Sequence, residues 1–396
     1  MQKRVAVLLA LLLLTLPAFG RARKARTPPP PPAVTVDTHA DTPSEYMAHP
    51  FDLSAWNKSG QFDYARMKAG GLDAEFFAAY VPAKYANKGA AAYCIKIMET
   101  IHEMVDRYPS LVRFATSPAE IRSAVHDGKR AILIGIEGGH AIEDSIEVLR
   151  AFHRFGARYM TLTHVNTNNW ADSSGDEEKH NGLTAFGREV VLEMNRLGMM
   201  VDVSHVSDKT FYDVIETSKA PVIASHSSAR ALCGAKRNMT DDMLRTLAKN
   251  GGVVQVNFYP EFLSNDVLHA SEARDEKLKP AIAALKAKDP AEGEVFEAGV
   301  RKLYAENPLP PVPYTRIVDH IDHMVKIAGI DHVGIGSDFD GISIVPVGME
   351  DVSKLPAIPA ELRRRGYSEA DIRKIMGENF MRVFAEVERV SRGMAK

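Results

Sequence analysis

The pair His39-x-Asp41 closes the first apolar run of the chain. Side chains alternate along an extended strand, so residues two apart point the same way. One cation could therefore take an imidazole and a carboxylate from a single strand. The plainer reading is a strand-end histidine bonded to its neighbouring aspartate. Glu137 ends a strongly apolar run and precedes Gly138 and Gly139. A carboxylate there needs a partner, because burying it alone is costly. Its two oxygens could bridge two cations about 3.5–4 Å apart, or it could sit at a helix N-terminus in the field of the backbone dipoles. His205 and His226, 21 residues apart and each preceded by a serine, end two further runs. Neutral imidazole is the commonest metal ligand, and zinc takes such N and O donors at about 2.0–2.2 Å. The competing reading is two structural histidines bonded to backbone carbonyls. Five donors are generous for one ion and suit two ions that share Glu137 and a water.

His164, Arg237 and Asp338 stand beside this set in the sequence order of the strand ends. An imidazole or guanidinium near metal ions could stabilise a developing oxyanion or hold a substrate carboxylate. Asp338 could carry a proton. Each has a plainer reading: a histidine behind the ligands, a solvated arginine in Lys236-Arg237, and an aspartate that only orients a ligand. Tyr259, at the end of the seventh run, is taken as a substrate contact. His102, His126, His140, His153, His180, His269, His320, His323 and His332 read as structural or surface residues.

Something must bring these distant residues together. Eight short apolar runs occur in order: 34–37, 74–80, 131–136, 159–163, 199–203, 222–225, 252–257 and 332–336. Helical patterns separate most of them, among them 91–108, 145–154 and 183–197, and Thr240 is placed to cap a helix. Eight strands with crossover helices is the count of an α/β (β/α)8 TIM-type barrel, whose active site lies at the C-terminal ends of its strands. An open doubly wound sheet is disfavoured, since no glycine-rich phosphate loop follows the first run. The polar stretch 166–182 and the stretch 260–313, with two helical pieces, exceed a minimal barrel and are expected as insertions at the mouth.

The chain has 396 residues, 49 Lys+Arg against 51 Asp+Glu, and two cysteines. A net charge of −2 speaks against a broad nucleic-acid-binding surface. Two cysteines cannot staple a chain this long, so stability must come from a large core, and Cys94 and Cys233 are expected to be buried free thiols. Residues 1–20 have the form of an export signal: Lys3 and Arg4, twelve residues from Val5 to Leu16 with one polar member, Pro17, then Ala18-Phe19-Gly20. Arg21, Arg23, Lys24 and Arg26 oppose translocation, so a retained N-terminal anchor is the alternative. Five prolines, Pro28 to Pro32, make 21–33 a stiff basic spacer. The expected organisation is a signal at 1–20, a linker at 21–33 and one barrel domain at 34–396, exported to the periplasm or secreted, without stable membrane insertion once the signal is cleaved.

Several motifs in chain order resemble the membrane (renal) dipeptidase family. They are Asp37-Thr38-His39-Ala40-Asp41, Gly135-Ile136-Glu137-Gly138-Gly139-His140, Leu162-Thr163-His164, Asp202-Val203-Ser204-His205, Ser225-His226-Ser227-Ser228, Arg237-Asn238 and Gly336-Ser337-Asp338-Phe339-Asp340-Gly341. The resemblance runs over about 34–385. It implies a zinc metallopeptidase barrel with two Zn2+ per subunit: His39 and Asp41 on one, His205 and His226 on the other, Glu137 between them. It implies substrate contacts from His164 and Arg237, and proton transfer by Asp338. The activity implied is hydrolysis of dipeptides through a hydroxide shared by the metals, with a D-residue tolerated at the C-terminal position. Eukaryotic members are disulfide-linked, lipid-anchored dimers. Here the C-terminal end lacks an apolar tail, so no such anchor is expected, and a homodimer would have to form without the disulfide. The alternative is another metal-barrel amidohydrolase acting on cyclic amides or N-acyl compounds. Many of those use a carboxylated lysine as bridge, and the third run offers Glu137 instead.

Overall fold

The computed structural model of the chain describes residues 33–289 and 293–394. The expected signal, and the spacer up to residue 32, lie outside the described residues.

Eight parallel strands make a barrel: β1 (Val36–Ala40), β2 (Ala74–Tyr80), β4 (Arg130–Glu137), β5 (Ala157–Thr161), β6 (Met200–Asp202), β7 (Ile223–Ala224), β8 (Val253–Val256) and β9 (Val333–Ile335), each paired with the next. The seam between the last strand and the first is held just beyond their ends. Ala40 bridges Phe339 in parallel, Asp41 N–H donates to the Phe339 carbonyl at 2.8 Å, and Asp338 N–H donates to the His39 carbonyl at 2.9 Å.

The sequence expectation differs from this in three places. A short strand, β3 (Val112–Phe114), pairs with the first half of β4, below the position where β5 takes over the same edge. Three residues carry no readable alternation, so the pattern passed over it. The first strand spans Val36–Ala40, offset from the apolar run 34–37, and carries His39 near its end as the spacing required. Its polar residues are tolerated inside a barrel because partners satisfy them: Thr38 Oγ donates to the Ser225 carbonyl at 2.6 Å, and His39 Nδ1 lies 2.9 Å from the Tyr159 hydroxyl. The stretch after β8 holds three helical segments rather than two, Pro260–Leu263, Asn265–Lys288 and Glu294–Ala305.

The helices stand where the patterns put them, at Ala90–Asp106, Ile146–Arg154 and Ala185–Leu197. Their starts are set by side chains that accept an otherwise unpaired amide. Ser145, Thr184, Ser207 and Thr240 each accept from the N–H three residues on. Inside the barrel, Phe76 packs between Tyr159 and Phe380 of the last helix, Asn379–Met394, so an aromatic plug fills the lower half and leaves the polar site above it. Gly135 is required there: a Cβ at this position would stand 1.9 Å from the Tyr159 ring. Cys94 and Cys233 are buried free thiols. Among the described residues no helix is long and apolar enough to cross a membrane.

Candidate metal centre

The strand ends converge on Glu137. Its Oε1 lies 3.0 Å from His205 Nε2 and 3.3 Å from His226 Nε2. Its Oε2 lies 3.5 Å from His39 Nε2, which in turn is 3.4 Å from Asp41 Oδ2. One oxygen thus faces a pair of imidazoles and the other faces an imidazole with a carboxylate. His39, Asp41, Glu137 and His226 are all buried. Three overlapping groups have donor atoms close enough to hold an ion: His39, Glu137 and His226; Glu137, His164 and His205; and His39, Asp41 and Asp338.

The tautomers follow from what lies behind the rings. Tyr159 donates its hydroxyl proton to the Thr38 carbonyl at 3.0 Å, so towards His39 it can only accept. His39 Nδ1 therefore carries the hydrogen and Nε2 presents a lone pair. The same logic holds on the other side. Ser225 Oγ donates to Asp202 Oδ2 at 2.6 Å and lies 2.7 Å from His226 Nδ1. His226 Nδ1 is then the donor, and its Nε2 faces His205 Nε2 at 2.9 Å. Asp202 is fixed by four donors: Thr161 Oγ, Ser225 Oγ and the amides of Ser204 and Ser225. Outer partners of this kind orient metal-binding imidazoles.

Lone pairs of two imidazoles thus meet two carboxylates, and His39 Nε2 is buried without a hydrogen-bond partner. Acceptors facing acceptors require positive charge between them. The electrostatics agree. Burial lowers the basicity of His39, but Tyr159, Glu137 and Asp41 outweigh it and raise its pKa well above the usual imidazole range, so its Nε2 draws a cation, whether a proton or a metal ion. Burial, with help from Arg237, holds His205 and His226 well below that range, so both are neutral donors. Burial would raise the Glu137 carboxyl, yet His39, His164, His205 and His226 bring it well below the ordinary carboxylate value. The residues present fit a metal cofactor.

The other expected residues surround this cluster. His164 Nε2 lies 3.8 Å from Glu137 Oε1, with its ring edge-on to Tyr80. Asp338 Oδ2 accepts from Asn257 Nδ2 at 2.8 Å. Burial is the chief cause pushing its pKa to about 7, and Asp41 and Glu137 add to it while His39 opposes. Arg237 donates to Ser227 Oγ at 2.7 Å and to the His226 carbonyl at 2.8 Å, with its guanidinium 5.8 Å from the Phe262 ring. Tyr259 lines a cavity of about 440 Å3 together with Tyr80, His164, Phe262, Asp338 and Ile342, and its hydroxyl bonds to Glu261. His205 and Asp338 have φ of +68° and +67°. Such left-handed backbone at non-glycine residues concentrates at functional sites.

Sequence reasoning did not find Tyr159, Asp202 and Asn257. Asp202 had a readable signal: like Glu137, it is a carboxylate ending an apolar strand. Asn257 likewise ends its apolar run, whereas Tyr159 had no such signal, since it acts on a residue far away in the chain.

A family model described as membrane dipeptidase (peptidase family M19) matches residues 32–396. Dipeptidase aclJ of Aspergillus oryzae is 36% identical over 345 residues, covering 85% of this chain and 72% of that protein. Dipeptidase 3 of Rattus norvegicus is 36% identical over 336 residues, covering 84% of this chain but 59% of the longer rat protein. Among solved structures, the probable dipeptidase PvdM from Pseudomonas aeruginosa superposes with a TM-score of 0.76 at 29% identity, over 90% of this chain and 96% of that one. A metallo peptidase from Rhodobacter sphaeroides, liganded with a phosphinate mimic of the dipeptide L-Ala-D-Ala, gives 0.72 at 28% identity, over 90% and 99%. Fold, convergent donors and kinship agree: the chain belongs to the membrane dipeptidase family, peptidase family M19, and is a hydrolase of the metallopeptidase class.

Proposed function

We propose that this protein is a zinc-dependent dipeptidase holding two ions, which cleaves the single peptide bond of dipeptides and accepts a D-residue at the C-terminal position. The observation that carries it is the pair of lone-pair imidazoles, His39 and His226, turned towards the two oxygens of Glu137. His39 and Asp41 would hold one ion, His205 and His226 the other, and Glu137 both. When bound, the ions supply a water of lowered pKa and a Lewis acid for the carbonyl oxygen.

The chain's own groups do the rest. Arg237, already anchored at Ser227 and the His226 carbonyl, fixes the substrate's terminal carboxylate. That contact limits the substrate to one residue beyond the scissile bond. His164 stands 3.8 Å from Glu137 and donates to the oxyanion as the water oxygen adds to the carbonyl carbon. Asp338, with a pKa near 7, takes the water's proton and delivers it to the nitrogen as the C–N bond breaks. Tyr259 and Phe262 form an apolar wall for the C-terminal side chain. The L-Ala-D-Ala mimic held by the Rhodobacter sphaeroides relative supports a D-residue there. In the same reading residues 1–20 direct export, residues 34–396 form the catalytic domain, and two copies pair.

The test is hydrolysis of Gly-D-Ala and Gly-Leu by zinc-loaded protein, with metal content measured before and after chelation. Turnover that disappears on chelation and returns with zinc is expected. Two bound zinc ions with no turnover of any dipeptide refutes the assignment.

A further inference from the structure

The cavity above the metal centre is electrically lopsided. Five carboxylates line it, those of Asp41, Glu45, Glu137, Asp338 and Asp340, and no lysine or arginine does. Asp41 and Glu137 belong to the donor set. Asp338 is bound by Asn257. Asp340 is tied into the wall, accepting from Thr42 Oγ at 2.7 Å and from the Gln61 amide at 2.5 Å. Glu45 differs from the other four. It is exposed, it follows Asp41 by one turn of the helix Thr42–Ala48, and its field helps to raise the Asp340 carboxyl.

Arg237 holds the His226 carbonyl, the His226 ring stacks on His39, and His39 Nε2 lies 3.4 Å from Asp41, beside which Glu45 lines the cavity. A dipeptide whose carboxylate meets Arg237 lays its N-terminal residue towards Glu45. We propose that Glu45 is a specificity-determining residue that selects dipeptides with a cationic N-terminal side chain, lysyl or arginyl. This rests on the dipeptidase reading above. The Glu45 backbone stands about one helical turn, roughly 5–6 Å, beyond Asp41. That is a span a long cationic side chain bridges and a short one does not.

The test compares kcat/KM for Lys-D-Ala with that for norleucyl-D-Ala, which matches its length without the charge. A partly exposed ion pair gives a preference of about threefold to fivefold for the lysyl substrate. The ratio should fall towards one in Glu45→Gln and below one in Glu45→Lys, and should shrink at high salt. Glu45→Lys should also gain on Glu-D-Ala. A wild-type ratio of one overturns the proposal. So does a Glu45→Gln variant that loses equally on both substrates, since that pattern means recognition of the α-ammonium common to all dipeptides. Absence of turnover on every dipeptide overturns the underlying dipeptidase reading instead, and this proposal with it.

Discussion

Glu75 is fully buried on β2, with neither carboxylate oxygen hydrogen-bonded. Its cross-strand partner is Asp37, whose Oδ2 is likewise unpartnered. Burial, then Asp37 and Asp340, raise the Glu75 carboxyl well above its ordinary value, with His39 opposing. The folded protein therefore keeps a proton that the unfolded chain releases near pH 4.5. An acid raised in this way costs nothing below its unfolded pKa. The cost then grows with pH until the folded pKa is reached. The slope is about 1.4 kcal/mol per pH unit, or about 2 kcal/mol of lost stability by pH 6. Glu75→Gln removes the titration and keeps the shape. Its stability relative to wild type should climb by roughly that slope from pH 5 upward, on top of a constant offset from the buried amide. Urea unfolding of both proteins by circular dichroism at pH 5, 6 and 7, with chelator present to keep metal release out of the comparison, measures it. A difference that stays flat across this range means that Glu75 is ionised in the native protein, and the reasoning fails.

Glu137→Gln should lose both bound ions and at least about 100-fold in turnover, read by metal analysis after dialysis and by the Gly-D-Ala assay. Ser225→Ala leaves the His226 tautomer unfixed and should weaken zinc affinity about 10-fold to 100-fold in a competitive chelator titration. Gly135→Ala places a methyl against the Tyr159 ring and should destabilise the fold by about 3 kcal/mol in thermal or urea unfolding. Glu193, bonded to Arg196 and Arg150, has its pKa lowered to about 2, chiefly by Arg196. A lowered acid stabilises above its unfolded pKa and loses that as pH falls. Glu193→Gln should thus cost about 1 kcal/mol at pH 7, discounted for exposed partners, and nothing near pH 2.

Much of the site was legible because a barrel turns a local feature into a global one. A polar residue at the C-terminal end of an apolar strand faces the common mouth, so His39, Glu137, His205 and His226 could be gathered without any contact information. What stayed hidden works across the barrel. Tyr159 reaches His39 from 120 residues away, and Thr38 meets Ser225 from 187 away. Nothing in the neighbourhood of these residues marks such a bond. The fold was readable to the same extent. Each of the eight runs gave its strand, even 222–225, where β7 keeps only two residues, whereas β3, with three residues, is placed by pairing rather than by pattern.

The seam carries a consequence for how the molecule comes into being. The first strand supplies His39 and Asp41, and the residues that latch it, Asp338 and Phe339, lie some 300 positions later. The five residues proposed as metal donors are all synthesised by residue 226, but the strand that carries the first of them has no neighbour on its open edge until β9 has formed. Contacts of such sequence separation form late and slowly. A nascent chain therefore cannot acquire a competent centre piece by piece. The ring shuts, and the metal pocket becomes complete, in one closing step near the end of folding. Premature termination between His226 and Asp338 would yield a protein that carries all five proposed donors and still cannot assemble them.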